Sequence, residues 1–164
     1  MSVNKYKPHI FVLPEDDANN QIAVGFISDP HLNLRSIQVL KPAGGWKKVL
    51  DKFREEHAPE MKECPERRIV LLIDFDQQHE KRLTHVKEIS PELVDRVFVL
   101  GALSEPENLK RNIGKSFEKI GEALLQDCVD NTRIIWGHDL LKHNESELDR
   151  MILSVKPFLF DQQV

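Results

Sequence analysis

The chain has 164 residues, 40% hydrophobic and 30% charged, with 27 acids against 23 bases and a net charge of −4. That length buries a sizeable core, the composition excludes disorder, and the acidic balance argues against a general nucleic-acid sponge while leaving room for a local basic strip. No apolar run approaches the ~18 residues of a membrane span, the stretch MSVNKYKPHIFVLPEDD lacks the plan of a signal peptide, and Cys64 and Cys128 give neither a disulfide framework nor zinc spacing, so a cytoplasmic chain with reduced thiols is expected.

The first element is the apolar run His9-Ile10-Phe11-Val12-Leu13, which suits a strand buried on both faces. Glu15-Asp16-Asp17 follow, and Ala18, Ile22, Ala23 and Phe26 recur at helical spacing, so a helix is expected over 19–27. Ser36–Leu40 reads as a second strand, Pro42-Ala43-Gly44-Gly45 as a turn, and Trp46–Glu56 as a helix with Trp46, Val49, Leu50 and Phe53 on one face. The strongest strand signal is Arg68–Ile73, running into Asp74-Phe75-Asp76. A polar stretch from Gln77 to Lys87 follows, and Ser90-Pro91-Glu92 then starts a short helix, with Ser as cap and Pro at the first position. Val97–Leu100 is a fourth strand, Phe117–Leu125 is amphipathic, and Arg133–Trp136 is a candidate fifth strand. Asn144–Val155 closes the chain as a helix, Asn144 and Glu147 being spaced as a capping box. The alternation predicts an α/β fold: a Rossmann-like, mostly parallel sheet of four to five strands with helices on both faces. No repeat or linker divides it, so residues 1–164 are read as a single domain.

In such sheets ligands sit beyond the carboxyl ends of the strands. Glu15, Asp16 and Asp17 follow the first strand, and Lys41, Gly44, Gly45, Lys47 and Lys48 the second. Asp74 and Asp76 follow the third, and Ser104, Glu105 and Glu107 the fourth. Clustered carboxylates repel each other unless something offsets the repulsion, and a hard divalent cation with oxygen ligands is the obvious agent. Residues two apart at a strand end point the same way, so Asp74 and Asp76 are expected to reach one ion. The competing reading makes Asp74 a turn cap and Asp76 a solvated charge. Glu15 competes with a charge placed for the helix dipole, and Glu107 with a capping box on Ser104. The glycines and lysines suit a phosphate cradle at a helix start, or else a plain turn with solvated lysines. The Walker A pattern, the HExxH pattern and the GxSxG elbow are absent. Among the seven histidines, His138 in Trp136-Gly137-His138-Asp139 is the best candidate, and Asp139 and His143 are spaced to meet on a helix.

The order of these features resembles the Toprim domain of topoisomerases, bacterial primases, small ribonucleases and OLD-family nucleases. The residues that carry it are Glu15 in FVLPEDDAN, Gly44 and Gly45 in KPAGGWKKVL, and Asp74 and Asp76 in IVLLIDFD, with Glu105 and Glu107 in VFVLGALSEPENL at the place where OLD-type Toprims carry further acids. The resemblance covers roughly residues 8–112 and leaves 113–164 as a helical C-terminal extension. It departs from the family where Pro14-Glu15-Asp16 replaces the usual Glu-Gly. It implies hydrolysis of DNA or RNA phosphodiesters dependent on Mg²⁺ or Mn²⁺. Glu15 would be the acid/base or a ligand. Asp74 and Asp76, with Glu105 and Glu107, would be metal ligands, and Lys41, Gly44, Gly45, Lys47 and Lys48 would lie along the phosphates. The lone tyrosine, Tyr6, precedes the first strand, which disfavours a topoisomerase reaction. OLD-type Toprims work with an ATPase that this chain does not contain, so a separate ATPase partner is expected, as in a phage-defence system. A homo-oligomer is left open, and no membrane association is expected. Two other readings stand beside this one: a non-catalytic Toprim-like or Rossmann-like module that binds a protein or nucleotide, and a receiver-like phosphoacceptor domain. Asp16-Asp17 and Asp74 mimic the receiver layout, and Lys142 matches its lysine poorly.

Overall fold

The computed structural model describes residues 3–160. In chain order it contains β1 (His9–Pro14), α1 (Asp17–Phe26), β2 (Ile37–Val39) and α2 (Trp46–Lys52), which continues through a π turn (Phe53–His57) into α3 (Ala58–Glu63). Then come β3 (Arg67–Leu72), α4 (His79–Ile89), a 3-10 helix (Pro91–Arg96), β4 (Val97–Leu100), α5 (Pro106–Ile113), α6 (Phe117–Asp130), a short 3-10 turn (Lys142–Asn144) and α7 (Glu145–Leu159). The four strands form one all-parallel sheet in the order β2-β1-β3-β4.

The apolar runs of β1, β3 and β4 are continuous because both faces of the sheet are covered, which is the condition that removes polar alternation from a parallel strand. Ile10, Val12, Val70, Phe98 and Leu100 face one core, closed by residues of α1, α5, α6 and α7. The intervening Phe11, Leu13, Ile69, Leu71, Val97 and Val99 face a second core, closed by α2, α3, α4 and the 3-10 helix. Residues after Phe117, expected as an extension, therefore form part of the cover of one sheet face: α6 packs along α1, and α7 against β4 and β1.

Register decides which loops meet. Pro14 pairs with Leu72, and Leu72 with Leu100, so β1, β3 and β4 end at one edge of the sheet. Glu15, Asp74 and the loop before α5 leave the sheet side by side.

Several local expectations are corrected. The fifth strand does not form: Arg133–Trp136 is a turn, with Ile134 78% exposed. The buried Asp127 carboxylate accepts from the backbone N–H groups of Ile134, Ile135 and Trp136 and from the Thr132 hydroxyl. Those donors are satisfied by a side chain and have no need of a neighbouring strand. Neither expected capping box forms. Glu147 is buried and accepts from the Val99 N–H and Arg150, and the Asn144 side chain bonds Gly101. Glu105, not Ser104, precedes α5, and the Ser104 hydroxyl accepts from Asn108. The polar stretch after Asp76 is mostly the helix α4, amphipathic through Leu83 and Val86. Among the described residues no helix is long and apolar enough to cross a membrane.

Candidate metal centre

Asp16 caps α1: its Oδ1 accepts from the Asn19 N–H at 3.0 Å, which uses one of the free donors of the first turn. Asn19 is the third residue of the helix, so its side chain turns back over the cap toward the strand edge. Its amide nitrogen donates to Asp16 Oδ1 at 3.0 Å and to Asp74 Oδ1 at 2.9 Å. Glu15 Oε1 accepts from the Asp74 N–H at 3.1 Å. Glu15, Asp16 and Asp74 thereby offer carboxylate oxygens that all lie within 4.8 Å of one another.

The site is half-buried, and that shapes its charge. Burial pushes the Asp74 carboxyl up to about 7. The Asn19 amide pulls it the other way, and the charges of Glu15, Asp16 and Glu107 add to the rise. Burial also raises Glu15, opposed by the hydrogen bond from the Asp74 N–H and by Arg82, and reinforced by Asp16 and Asp76. Without a cation, the site stores a proton near neutrality.

The remaining expected residues divide. Asp76 does not join the three carboxylates: the strand has ended, and Asp76 and Gln77 take left-handed backbone angles of φ 48° and 61°. Phe75 is driven fully into the core, packed edge-on against His79 and His143, while Asp76 is thrown outward 3.9 Å from Arg82. Glu107 is exposed on the first turn of α5, near enough to act on Asp74 by its charge, and Glu105 is exposed at the residue that precedes the helix. The Gly44 and Gly45 amides do not form a phosphate cradle. Both donate to the Glu15 carbonyl, at 2.8 and 3.0 Å, and so fix the backbone of the acid. Their φ angles of 97° and 131° explain why glycine stands at both positions. Lys41, Lys47 and Lys48 are exposed, with no carboxylate ion pair among the described residues. His138 is turned into its own loop, where Nδ1 accepts from the Leu140 N–H, and Asp139 pairs with Lys142 rather than His143.

Three participants were missed in the sequence. Asp16 stands in the sequence among the acids after β1 and in a receiver-like pair, with nothing that singles it out as a ligand. Asn19 carries a legible signal, since it stands three residues after a capping Asp, the position that faces back to the cap. Arg82 lay in the stretch read as polar. Its guanidinium bonds the Asp74 carbonyl and lies 4.8 Å from the centre of the Trp46 ring, holding the Asp74 loop to α2.

Comparison with protein-family models, with curated proteins and with solved structures finds no match to this chain. The donor set therefore has to be judged on its chemistry. Three hard carboxylate oxygens, with a second oxygen left on each group for water or phosphate, fit Mg²⁺ or Mn²⁺ and not a soft metal.

Proposed function

We propose that this chain is a Toprim-type, Mg²⁺- or Mn²⁺-dependent nuclease subunit acting on phosphodiesters of DNA or RNA. The observation that carries the reading is the approach of Glu15, Asp16 and Asp74 within 4.8 Å at the carboxyl edge of a parallel sheet. Glu15, Asp16 and Asp74 would hold the ion, which when bound supplies Lewis-acid polarisation of the phosphate and eases deprotonation of the attacking water. The chain's own residues do the rest. Glu15, raised by burial, accepts a proton from water at the carboxylate oxygen left free by the Asp74 N–H. Asn19 orients Asp16 and Asp74, and Arg82 anchors the loop. Lys41, Lys47 and Lys48 attract the substrate backbone from α2 and the turn before it. A cytoplasmic setting and a separate ATPase partner in phage defence belong to the same reading.

The experiment is cleavage of labelled DNA and RNA by the chain, alone and with candidate ATPase partners. Activity should require Mg²⁺ or Mn²⁺, stop in EDTA, and disappear in Asp74→Ala and Glu15→Ala. Cleavage that survives Asp74→Ala sinks the reading.

One observation favours a second reading. The order β2-β1-β3-β4 puts an acidic pair after β1 beside an aspartate after β3, as a receiver-like phosphoacceptor would. Against it, no fifth strand joins the sheet among the described residues, and Lys142 is exposed and paired with Asp139. Incubation with a small phosphodonor and Mg²⁺, read by intact mass, separates the two: a phosphoryl adduct lost in Asp74→Asn supports the receiver.

A further inference from the structure

An open, shallow cleft between α5 and the start of α6 is lined by Glu107, Lys110, Arg111, Lys115, Ser116 and Phe117, among others. None of its three cations pairs with a carboxylate among the described residues. The Lys110 ammonium lies 5.0 Å from the centre of the Phe117 ring, and Arg111 bonds the neutral side chain of Asn108. In a chain of net charge −4, three adjacent cations that share one lining carboxylate, Glu107, still repel one another, and an anion spanning them removes that cost.

The cleft lies on the helix that follows β4, at the same sheet edge as the metal centre, and Glu107 is the residue nearest to both. Glu107 lines it and also acts on Asp74 by its charge. Lys110 and Arg111 follow Glu107 by three and four residues, so they share its face of α5, about one turn (~5.4 Å) further on. The left-handed Gly114 then turns the chain so that Lys115 and Ser116 continue the line at the N-terminus of α6. A half-buried aromatic among cations is the arrangement that binds nucleic-acid strands by backbone charge and base stacking.

We propose that this cleft is a track for a nucleic-acid strand, holding the phosphates on one side of the scissile position while Lys47 and Lys48 attract them on the other. The inference rests on the nuclease reading for its purpose, but binding and cleavage are separately measurable.

The test is fluorescence anisotropy of an end-labelled single-stranded DNA, the same-sequence RNA and the duplex DNA, in EDTA so that no cleavage intervenes. The full chain is compared with Lys110→Glu/Arg111→Glu/Lys115→Glu and with a control of equal charge change on other faces, Lys7→Glu/Lys87→Glu/Lys156→Glu. Lys115→Gln, on an exposed turn, is a milder variant should the triple change disturb folding. Wild type should bind at least one of the three probes with a salt slope of roughly −0.7 per phosphate contact on a single strand. The cleft variant should lose on the order of tenfold in affinity at low salt and about 2 in slope. Lys115→Gln should lose a fraction of that, and the control should stay near wild type. The difference between DNA and RNA arms identifies the substrate. Absent binding by wild type, unchanged binding by the cleft variant, or an equal loss in the control overturns the inference. Binding that depends on the cleft, with no Mg²⁺-dependent cleavage, sinks the nuclease reading alone. Cleavage with an unchanged KM in the cleft variant sinks the track alone.

Discussion

Asn19 and Asp74 are 55 residues apart and joined by a 2.9 Å hydrogen bond from the Asn19 amide to Asp74 Oδ1. The same amide bonds Asp16. Part of the repulsion between these carboxylates is therefore offset by a neutral side chain, itself only 1% exposed, before any cation is considered. Asn19→Ala removes that bridge and leaves two half-buried acceptors short of a donor. It should cost about 1–3 kcal/mol in chemical denaturation. It should also weaken divalent-ion binding measured by calorimetry, because the two carboxylates lose their fixed separation. An Asn19→Ala protein as stable as wild type, with the same affinity, contradicts the bridging role.

Asp74 supplies a pH dependence whose sign is set. Its carboxyl stands at about 7 in the folded chain against the ordinary 3.8, chiefly through burial. Between those values the folded state keeps a proton that the unfolded state has released. The contribution is fully present below the lower value and is lost as pH rises through the upper one. Relative to Asp74→Asn, wild type in EDTA should lose stability from about pH 4 to about pH 7 and level off above that. Divalent-ion binding should release a proton at neutral pH and tighten as pH rises, which calorimetry in buffers of different ionisation enthalpy reads directly.

Asp127 predicts the opposite slope. Burial pushes its carboxyl up, but the Thr132 hydroxyl and the backbone N–H groups of Trp136, Ile135 and Ile134 outweigh it and hold it below the ordinary value. Its contribution is present above the ordinary carboxylate range and disappears in acid as pH falls through the folded value. Asp127→Ala leaves those amides unpaired and should cost about 3 kcal/mol, with faster amide exchange at Ile134–Trp136.

The α1–α6 contact depends on small residues. A Cβ on Gly121 would stand 2.0 Å from the Ile22 carbonyl oxygen, and one on Gly25 the same distance from that of Glu118. Both obstacles are backbone, so the helices would have to separate. Gly121→Ala should lower stability by about 3 kcal/mol, although Ala is the better helix former. A neutral or stabilising result would mean that the two helices are less closely packed.

The strands were legible for a simple reason. A parallel strand covered on both faces needs continuous apolar sequence, and Ile10–Leu13, Ile69–Ile73 and Val97–Leu100 have it. Helix patterns were legible where one face is buried, as along α6, and poorly legible in α4, whose few apolar residues are outnumbered by charges. Arg133–Trp136 misled because Ile134 and Ile135 suit a strand on local preference. The partner that denies it to the sheet, Asp127, lies on the preceding helix.

At the candidate site, the sequence by itself determined that Glu15 and Asp74 follow apolar strands, and hence that each stands at the ligand-binding edge of an α/β sheet. Only the tertiary structure decided which acids meet. Strand order made β1 and β3 neighbours and aligned Pro14 with Leu72, bringing Glu15 and Asp74 together. The cap of α1 added Asp16 and Asn19. The left-handed turn at Asp76 and Gln77 removed Asp76, although spacing alone placed it beside Asp74. Residue spacing specifies direction only while the strand lasts. Where the backbone turns left-handed, the turn chooses where a carboxylate points.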